Sequence, residues 1–116
     1  MEPSCEEAHS DGRRVRATRD HVLDEATAVR LAETFKALSD PTRVRIISAL
    51  LTDELCVHEL AESVGVSPSA ASHQLALLRK MRLVRSTREG RRIFYTLDDD
   101  HIRGLFRQGL DHALHD

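Results

Sequence analysis

Apolar residues recur along the chain at two different periods, and the change of period separates helices from one hairpin. From residue 26 to residue 81 they return every three or four positions, which is the spacing of one helix face. From 83 to 97 they alternate on either side of Glu89-Gly90, which predicts two strands joined by a tight turn. The pattern predicts helices at 26–38, 41–51, 57–65, 68–81 and 99–115.

Capping residues support these boundaries. Asp40 can cap the second helix, and Pro41 suits its first position, where a missing N–H costs nothing. Gly65 ends the third helix. Ser67 and Pro68 repeat the same arrangement at the start of the fourth helix. A helix, a short helix, a tight turn, a helix and a two-stranded hairpin together predict a mainly α fold of the winged helix-turn-helix type.

The stretch "VSPSAASHQLALL" has the composition of a helix that enters the major groove of DNA. Its first half consists of small and polar residues, which let a helix approach the base edges and hydrogen-bond to them. The other face carries Leu75, Leu78 and Met81, which are predicted to be buried. The residues predicted to contact DNA are Ser67, Ser69, Ser72, His73 and Gln74 on this helix, and Arg88, Arg91 and Arg92 on the hairpin.

The charge distribution favours the same partner. The chain has a formal net charge of −2, but residues 79–92 hold seven of its seventeen Lys and Arg, and one acid. A second, smaller basic run is "RRVRATR" at 13–19. Positive charge concentrated locally in an otherwise acidic chain is typical of a surface that binds double-stranded DNA.

Composition sets the general class of protein. With 116 residues, of which 41% are hydrophobic and 3% aromatic, we expect one domain with a core of Leu, Ile, Val and Ala. We expect this domain to span 21–116, after a flexible polar arm at 1–20. The longest apolar runs are a few residues, so no membrane span is expected. The polar start and two cysteines without a disulfide framework predict a reduced, cytoplasmic protein.

Four segments, in this order, resemble the ArsR/SmtB family of bacterial metal-sensing repressors: "LSDPTRVRIISALL", "ELCVHELAESVGVSPSAASHQLALLRKMRLV", "REGRRIFYTL" and the histidine-bearing last helix. The resemblance covers about residues 26–116. It implies a homodimer whose N- and C-terminal helices form the interface. It also implies that the dimer binds operator DNA when metal-free and is released when metal binds. The resemblance does not say which metal binds, and it implies no small organic substrate.

The last helix carries candidate metal ligands at both ends. Asp99 and His101 stand at its start, and His112 and His115 at its end. His101 lies roughly 16 Å from His112 along the helix axis, at about 1.5 Å per residue. Because Zn–N bonds are only about 2.0–2.1 Å long, one helix cannot bring all four ligands to one ion.

An antiparallel copy of the helix can complete the site. Asp99 paired with His115 averages to position 107, and His101 paired with His112 averages to 106.5, so both pairings share one centre beside Phe106. A two-fold interface duplicates each contact, and each of the two sites gains one carboxylate and three imidazoles, a closed set for Zn²⁺. The Asp-x-His and His-x-x-His motif of the family's zinc site matches these four positions. Co²⁺ or Cd²⁺ can also bind such ligands in vitro; Asp98 and Asp100 are alternative carboxylates.

The resemblance also implies a second, sulfur-containing site. In the family, such a site joins the Cys of the "ELCV" segment and a nearby acid to Cys and His from the other protomer's N-terminus. Cys56, Glu59, Cys5 and His9 match these positions. His58 stands where the members richest in sulfur have a second Cys, and it is an alternative to Glu59. Ordering a flexible tail costs chain entropy, so this site is expected to affect DNA binding more weakly.

Two other functions fit parts of the pattern. The two cysteines alone suit a sensor of soft metals such as Cd, Pb or arsenite, or of oxidants, with the histidines incidental. A metal store that never contacts DNA is the second, and the basic hairpin argues against it. Enzymatic activity is not expected, because the sequence has no nucleophile–base pair or phosphate-binding glycine loop and the proposed metal shell is full.

Overall fold

The structure, a computed structural model, describes residues 12–115. This part of the chain forms six α-helices and one antiparallel hairpin, in the order α1 (Gly12–His21), α2 (Glu25–Ala37), α3 (Pro41–Leu50), α4 (Val57–Val64), α5 (Pro68–Lys80), β1 (Val84–Glu89), β2 (Arg92–Leu97) and α6 (Asp100–Leu114). The chain divides into two units, one up to residue 33 and one from residue 34 onward. None of the described helices is long and apolar enough to cross a membrane.

Side-chain caps begin the two helices for which the sequence predicted them. The Asp40 carboxylate accepts the N–H of Arg43 at 3.0 Å at the start of α3. The Ser67 hydroxyl accepts the N–H of Ala70 at 3.0 Å at the start of α5. Each bond satisfies a backbone donor that a helix leaves unpaired at its N-terminus. Gly65 ends α4 with a φ of 81°, in the left-handed region that favours glycine.

Aliphatic side chains from the end of α2 and from every element from α3 to β2 form the core of the second unit. They are Ala37, Ile46, Ile47, Leu50, Leu60, Val64, Leu75, Leu78, Leu83, Val84 and Leu97. Burial of one such Leu or Ile contributes about 1.5–3 kcal/mol. The prediction that Met81 is buried was wrong, because its side chain is 44% exposed. Helix α5 ends at Lys80, and Met81 caps it beyond the last turn, off the buried face.

The hairpin is antiparallel and closes over a two-residue turn. Val84 pairs with Leu97 at its base, and Glu89 pairs with Arg92 at its tip. Gly90 takes a φ of 64° in the turn, which a residue without Cβ adopts at little cost. The base is buried and the tip is exposed. The strands therefore project from the core as a wing.

Backbone hydrogen bonds tie the base of the wing to the helical part of the second unit. Leu55, just before α4, donates to the Tyr95 carbonyl at 3.1 Å and accepts from the Tyr95 N–H at 2.8 Å. The N–H of Asp98 donates to the Leu83 carbonyl at 3.0 Å. These bonds place strand β2 beside the start of α4, where the candidate sulfur ligands lie.

Helix α1 lies in a segment where the pattern predicted no helix. All ten of its residues are exposed, and without a buried apolar face a helix leaves little periodic signal in a sequence. The helix covers all of the described part of the predicted arm, residues 12–20. The flexibility of that arm and the boundary after residue 20 stay predictions.

Candidate functional site

Helix α5 turns its small polar residues to solvent. Ala71, Leu75 and Leu78 bury the opposite face in the core, whereas Ser69 and Ser72 are exposed. His73, beside Ser72, is exposed as well. The Ser67 side chain is already used to cap the helix. Since no bulky side chain covers this face, it has the shape that a helix needs in order to enter a major groove.

Gln74 is half-buried and differs from its neighbours on α5. Its Oε1 atom accepts a hydrogen bond from Nε of Arg43, on α3, at 3.1 Å. Arg43 also donates to the Ala37 carbonyl at 3.5 Å. The amide oxygen of Gln74 thus already accepts one hydrogen bond inside the protein, whereas its NH₂ group is left for the predicted contact with a base. No pattern in the sequence pointed to Arg43, because its acceptor lies 31 residues away.

Two of the three predicted wing arginines lie at the tip of the hairpin. Arg88 donates from Nε to the Gly90 carbonyl at 3.0 Å, which braces the turn. Arg91 follows Gly90 in the turn and is exposed. Both residues are exposed at the tip of the wing.

Arg92 points instead toward the start of α4. Its Nη2 atom lies 3.5 Å from Sγ of Cys56 and 4.0 Å from a carboxylate oxygen of Glu59. The guanidinium carbon lies 5.3 Å from the centre of the Phe94 ring, within the range of a cation–π contact. A thiol, a carboxylate and an aromatic face therefore surround the positive charge of Arg92.

Cys56 and Glu59 are brought together as the sequence predicted. Glu59 accepts the N–H of Cys56 at 3.0 Å at the start of α4. This backbone hydrogen bond is the main cause that lowers the pKa of Glu59, followed by a hydrogen bond with the Cys56 side chain and the charge of Arg92. His58 between them is exposed. The other two predicted ligands, Cys5 and His9, lie outside the described residues.

At the start of α6, Asp99 and His101 are neighbours. One carboxylate oxygen of Asp99 caps the helix by accepting the N–H of Ile102 at 3.0 Å, and the other lies 3.5 Å from Nδ1 of His101. The bond from Ile102 is the main cause that lowers the pKa of Asp99. This bond favours the ionised form of the carboxylate, which is the form that binds metal ions.

The two histidines at the other end of α6 are exposed. His112 lies in the last turn, but α6 ends at Leu114, and His115 has an extended backbone with φ −81° and ψ 125°. The predicted helix at 99–115 was thus one residue too long at this end. Among residues 12–115 of one chain, no three His, Cys, Asp or Glu side chains lie close enough together to hold a metal ion.

The apolar stripe of α6 divides into two parts. Ile102 and Phe106 pack against the core of their own chain. Toward the C-terminus, Leu110 is 43% exposed and Leu114 is 73% exposed. One end of the helix is therefore fixed to its own domain, and the other end presents apolar surface near His112 and His115.

Arg103, one turn into α6, is a residue that the sequence did not single out. Its Nη1 atom donates to the Leu51 carbonyl at 2.7 Å, and its Nη2 atom donates to the Thr96 hydroxyl at 3.3 Å. Its Nε atom lies 3.8 Å from an Asp100 carboxylate oxygen. Only the i,i+3 spacing of Asp100 and Arg103 is visible in the sequence, since the other two contacts depend on the tertiary fold.

The family model described as "Bacterial regulatory protein, arsR family" matches residues 40–86, which include α3, α4, α5 and the start of the wing. The chain is 44% identical over 110 residues to the transcriptional repressor SmtB homolog of Synechocystis, covering 95% of this chain and 83% of that protein. It is 39% identical to a cadmium resistance regulatory protein CadC homolog of Staphylococcus aureus, covering 84% of this chain and 79% of the relative.

Solved structures give the same result. The homodimeric winged helix-turn-helix DNA-binding domain of a possible ArsR-family regulator from Mycobacterium bovis matches with a TM-score of 0.71 and 29% identity, covering 79% of this chain and 87% of that one. The solution structure of apo-NmtR matches with a TM-score of 0.70 and 40% identity, covering 79% and 77%.

Fold, site and similarity together define the class of protein. The described residues form a winged helix-turn-helix, and the comparisons are with DNA-binding transcriptional regulators. The chain belongs to the arsR family of bacterial regulatory proteins. It is a transcriptional regulator of the ArsR/SmtB type, a class of metal-responsive repressors, and not an enzyme.

Proposed function

We propose that this chain is a zinc-responsive repressor that binds operator DNA as a metal-free homodimer and leaves the DNA when zinc binds to α6. The observation that carries the proposal is the arrangement of α6. Asp99 and His101 lie together at one end, His112 and His115 lie at the other, and the apolar Leu110 and Leu114 are exposed in the C-terminal half.

The dimer follows from the reach of these side chains. Within the described part of one chain no three candidate ligands meet, so a site of four requires a second copy. An antiparallel copy of α6 would bring Asp99 and His101 of one protomer to His112 and His115 of the other. The exposed Leu110 and Leu114 supply apolar surface for this contact, and the M. bovis domain with the same fold is a homodimer.

The donor set fits zinc. One carboxylate and three imidazoles are ligands that Zn²⁺ binds in tetrahedral sites, and four protein ligands leave no position open for a substrate. Asp99 can donate its second oxygen while the first continues to cap α6. The same ligands accept Co²⁺ and Cd²⁺, and a relative is a cadmium resistance regulator. The choice of zinc therefore rests on the imidazole-rich ligand set.

The DNA-binding part of the proposal assigns each element a task. Ser69, Ser72 and His73 on α5 would contact bases, together with the free NH₂ group of Gln74. Arg88 and Arg91 on the wing would contact phosphates, and Arg92 would join them only by leaving Cys56. Ser67 positions the helix through its cap. A closed metal site across the dimer would change the distance between the two α5 helices, which must match successive major grooves.

Mixed dimers test the shared site directly. In a Cys56→Ser background, Asp99→Ala/His101→Ala protein and His112→Ala/His115→Ala protein should each lose the α6 zinc site. When the two are mixed and allowed to exchange subunits, a mixed dimer contains one site with all four ligands intact. We expect equilibrium dialysis to show zinc binding only after mixing. A site shared between protomers would be contradicted if the mixture bound no zinc. It would also be contradicted if either variant alone bound as much zinc as the parent.

A second candidate function is a thiol-based sensor of soft metals or oxidants. The proximity of Cys56, Glu59 and Arg92 favours it, because two potential ligands already surround one positive charge. It differs from the first proposal in one outcome. Cys56→Ser protein should still leave the operator when zinc is added if α6 carries the response, and it should fail to respond if the thiol does.

A further inference from the structure

Arg103 joins three separate parts of the second unit. It lies on α6, and its two terminal nitrogens bond to the Leu51 carbonyl after α3 and to the Thr96 hydroxyl on β2. Leu51 is the C-terminal cap of α3, so its carbonyl is one of those that a helix leaves unpaired. A positive charge at this helix end is also favoured by the helix dipole.

The surroundings of Arg103 make these bonds sensitive to the position of its guanidinium group. Its side chain is 30% exposed, and Thr96 is 6% exposed. Water therefore has limited access to replace a lost bond, and a planar guanidinium reaches two acceptors at once only in one orientation. A shift of α6 by about 1 Å away from these acceptors would lengthen the 2.7 Å and 3.3 Å contacts beyond the usual length of a hydrogen bond.

We propose that Arg103 is the positioning residue that transmits a movement of α6 to the wing and to the end of α3. The inference rests on the proposed function, since it concerns how the α6 site regulates DNA binding. Arg103 lies one turn after the Asp99–His101 pair, and Thr96 lies on the same strand as Arg92 at the tip of the wing. A change in α6 thus reaches the DNA-binding elements through two hydrogen bonds of a single side chain.

The alternative link would run from the other end of α6. It would be a hydrogen bond from a ring N–H of a ligating histidine, His112 above all, to a backbone carbonyl near α5. In this structure His112 is exposed at the last turn of α6, whereas Arg103 contacts the body of the domain. Within the described chain, the N-terminal half of the helix therefore supplies a route through Arg103.

The experiment compares operator affinity with and without zinc in the full chain. The variants are Arg103→Gln, Arg103→Lys and Thr96→Val, which removes only the hydroxyl acceptor. Arg107→Gln is the matched control, because it removes the same charge one turn further along α6 from an exposed residue. The coupling is the ratio of the operator Kd with zinc to that without zinc.

We expect Arg103→Gln to reduce this ratio about tenfold, within the range of coupling changes that single residues cause. Zinc affinity of the free protein and operator affinity of the metal-free protein should change less than about threefold. Thr96→Val and Arg103→Lys should reduce the ratio partly, and Arg107→Gln should leave it unchanged. A purely structural role predicts a lower Tm and weaker metal-free DNA binding at an unchanged ratio, and that result would overturn the proposal.

A second measurement needs no metal. Amide hydrogen exchange of β2 in the metal-free protein should become faster in Arg103→Gln and Thr96→Val, and not in Arg107→Gln. Equal exchange in all four proteins would overturn the link between α6 and the wing. A parent protein that zinc does not release from DNA would contradict the proposed function instead, and the exchange data would then report separately on the link.

Discussion

The Nη2 atom of Arg92 lies 3.5 Å from Sγ of Cys56, so a wing arginine is in contact with the candidate metal-binding thiol. The same guanidinium lies 4.0 Å from Glu59. Its positive charge thus lies close to both groups that an incoming metal ion would have to bind. A metal ion that bound Cys56 and Glu59 would therefore compete with Arg92.

Arg92→Gln should consequently strengthen cadmium binding at the sulfur site. Two like charges about 4 Å apart in water repel by about 1 kcal/mol per pair of unit charges, and a divalent ion doubles this before salt screens it. We expect about a tenfold lower Kd for Cd²⁺, measured by the sulfur-to-metal absorption that Cys56→Ser abolishes. Arg91→Gln removes an equal charge at the adjacent residue; if it tightens cadmium binding as much, the effect is general electrostatics and not displacement of Arg92.

The exposed Arg91 at the wing tip should contribute to DNA affinity through phosphate contact. Each phosphate contact that a protein loses reduces the slope of log K against log salt by about one. We expect Arg91→Ala to weaken binding to operator and unrelated DNA alike. The slope should become flatter by about one for each half-site that the dimer binds. Arg107→Ala, on α6, is the control. An unchanged slope in Arg91→Ala protein would mean that the wing tip does not reach the DNA.

Helix α2 should lose stability as the pH falls. The Asp24 carboxylate accepts the Thr27 hydroxyl at 2.6 Å and the Thr27 N–H at 3.1 Å, and these bonds lower the pKa of Asp24. A group whose folded-state pKa is lowered stabilises the fold above its unfolded-state pKa, and this stabilisation is lost as the pH falls through the folded-state value. The protection factors of the α2 amides, which correct for the intrinsic pH dependence of exchange, should therefore fall in acid. Asp24→Asn should remove that pH dependence, and an identical pH profile in both proteins would exclude Asp24 as its source.

The sequence predicts those features of the fold that arise from neighbouring residues. Asp40, Ser67 and Gly65 act within three or four positions of the bonds they make, so the helix ends could be predicted, and the wing followed from alternation and Gly90. Met81 was misplaced because periodicity does not show where a helix stops, and α1 was missed because it has no buried face.

The site divides in the same way. Cys56 and Glu59 are three residues apart and could be paired from their spacing, as could Asp99 and His101. The contacts of Arg92 with Cys56 and of Arg103 with Leu51 span 36 and 52 residues. Such contacts depend on how the wing and α6 pack against the helical core, which no local pattern encodes.

The most direct test of the central claim is operator binding by the full chain with and without zinc, measured for the parent and for the Asp99→Ala/His112→Ala variant. Both proteins should bind operator DNA when metal-free, because neither substitution touches α5 or the wing. Zinc should weaken binding by the parent by about 5- to 150-fold per coupled site, the usual range of allosteric coupling, and should leave the variant on the DNA. Release of the variant by zinc to the same extent as the parent would contradict the assignment of the regulatory site to α6.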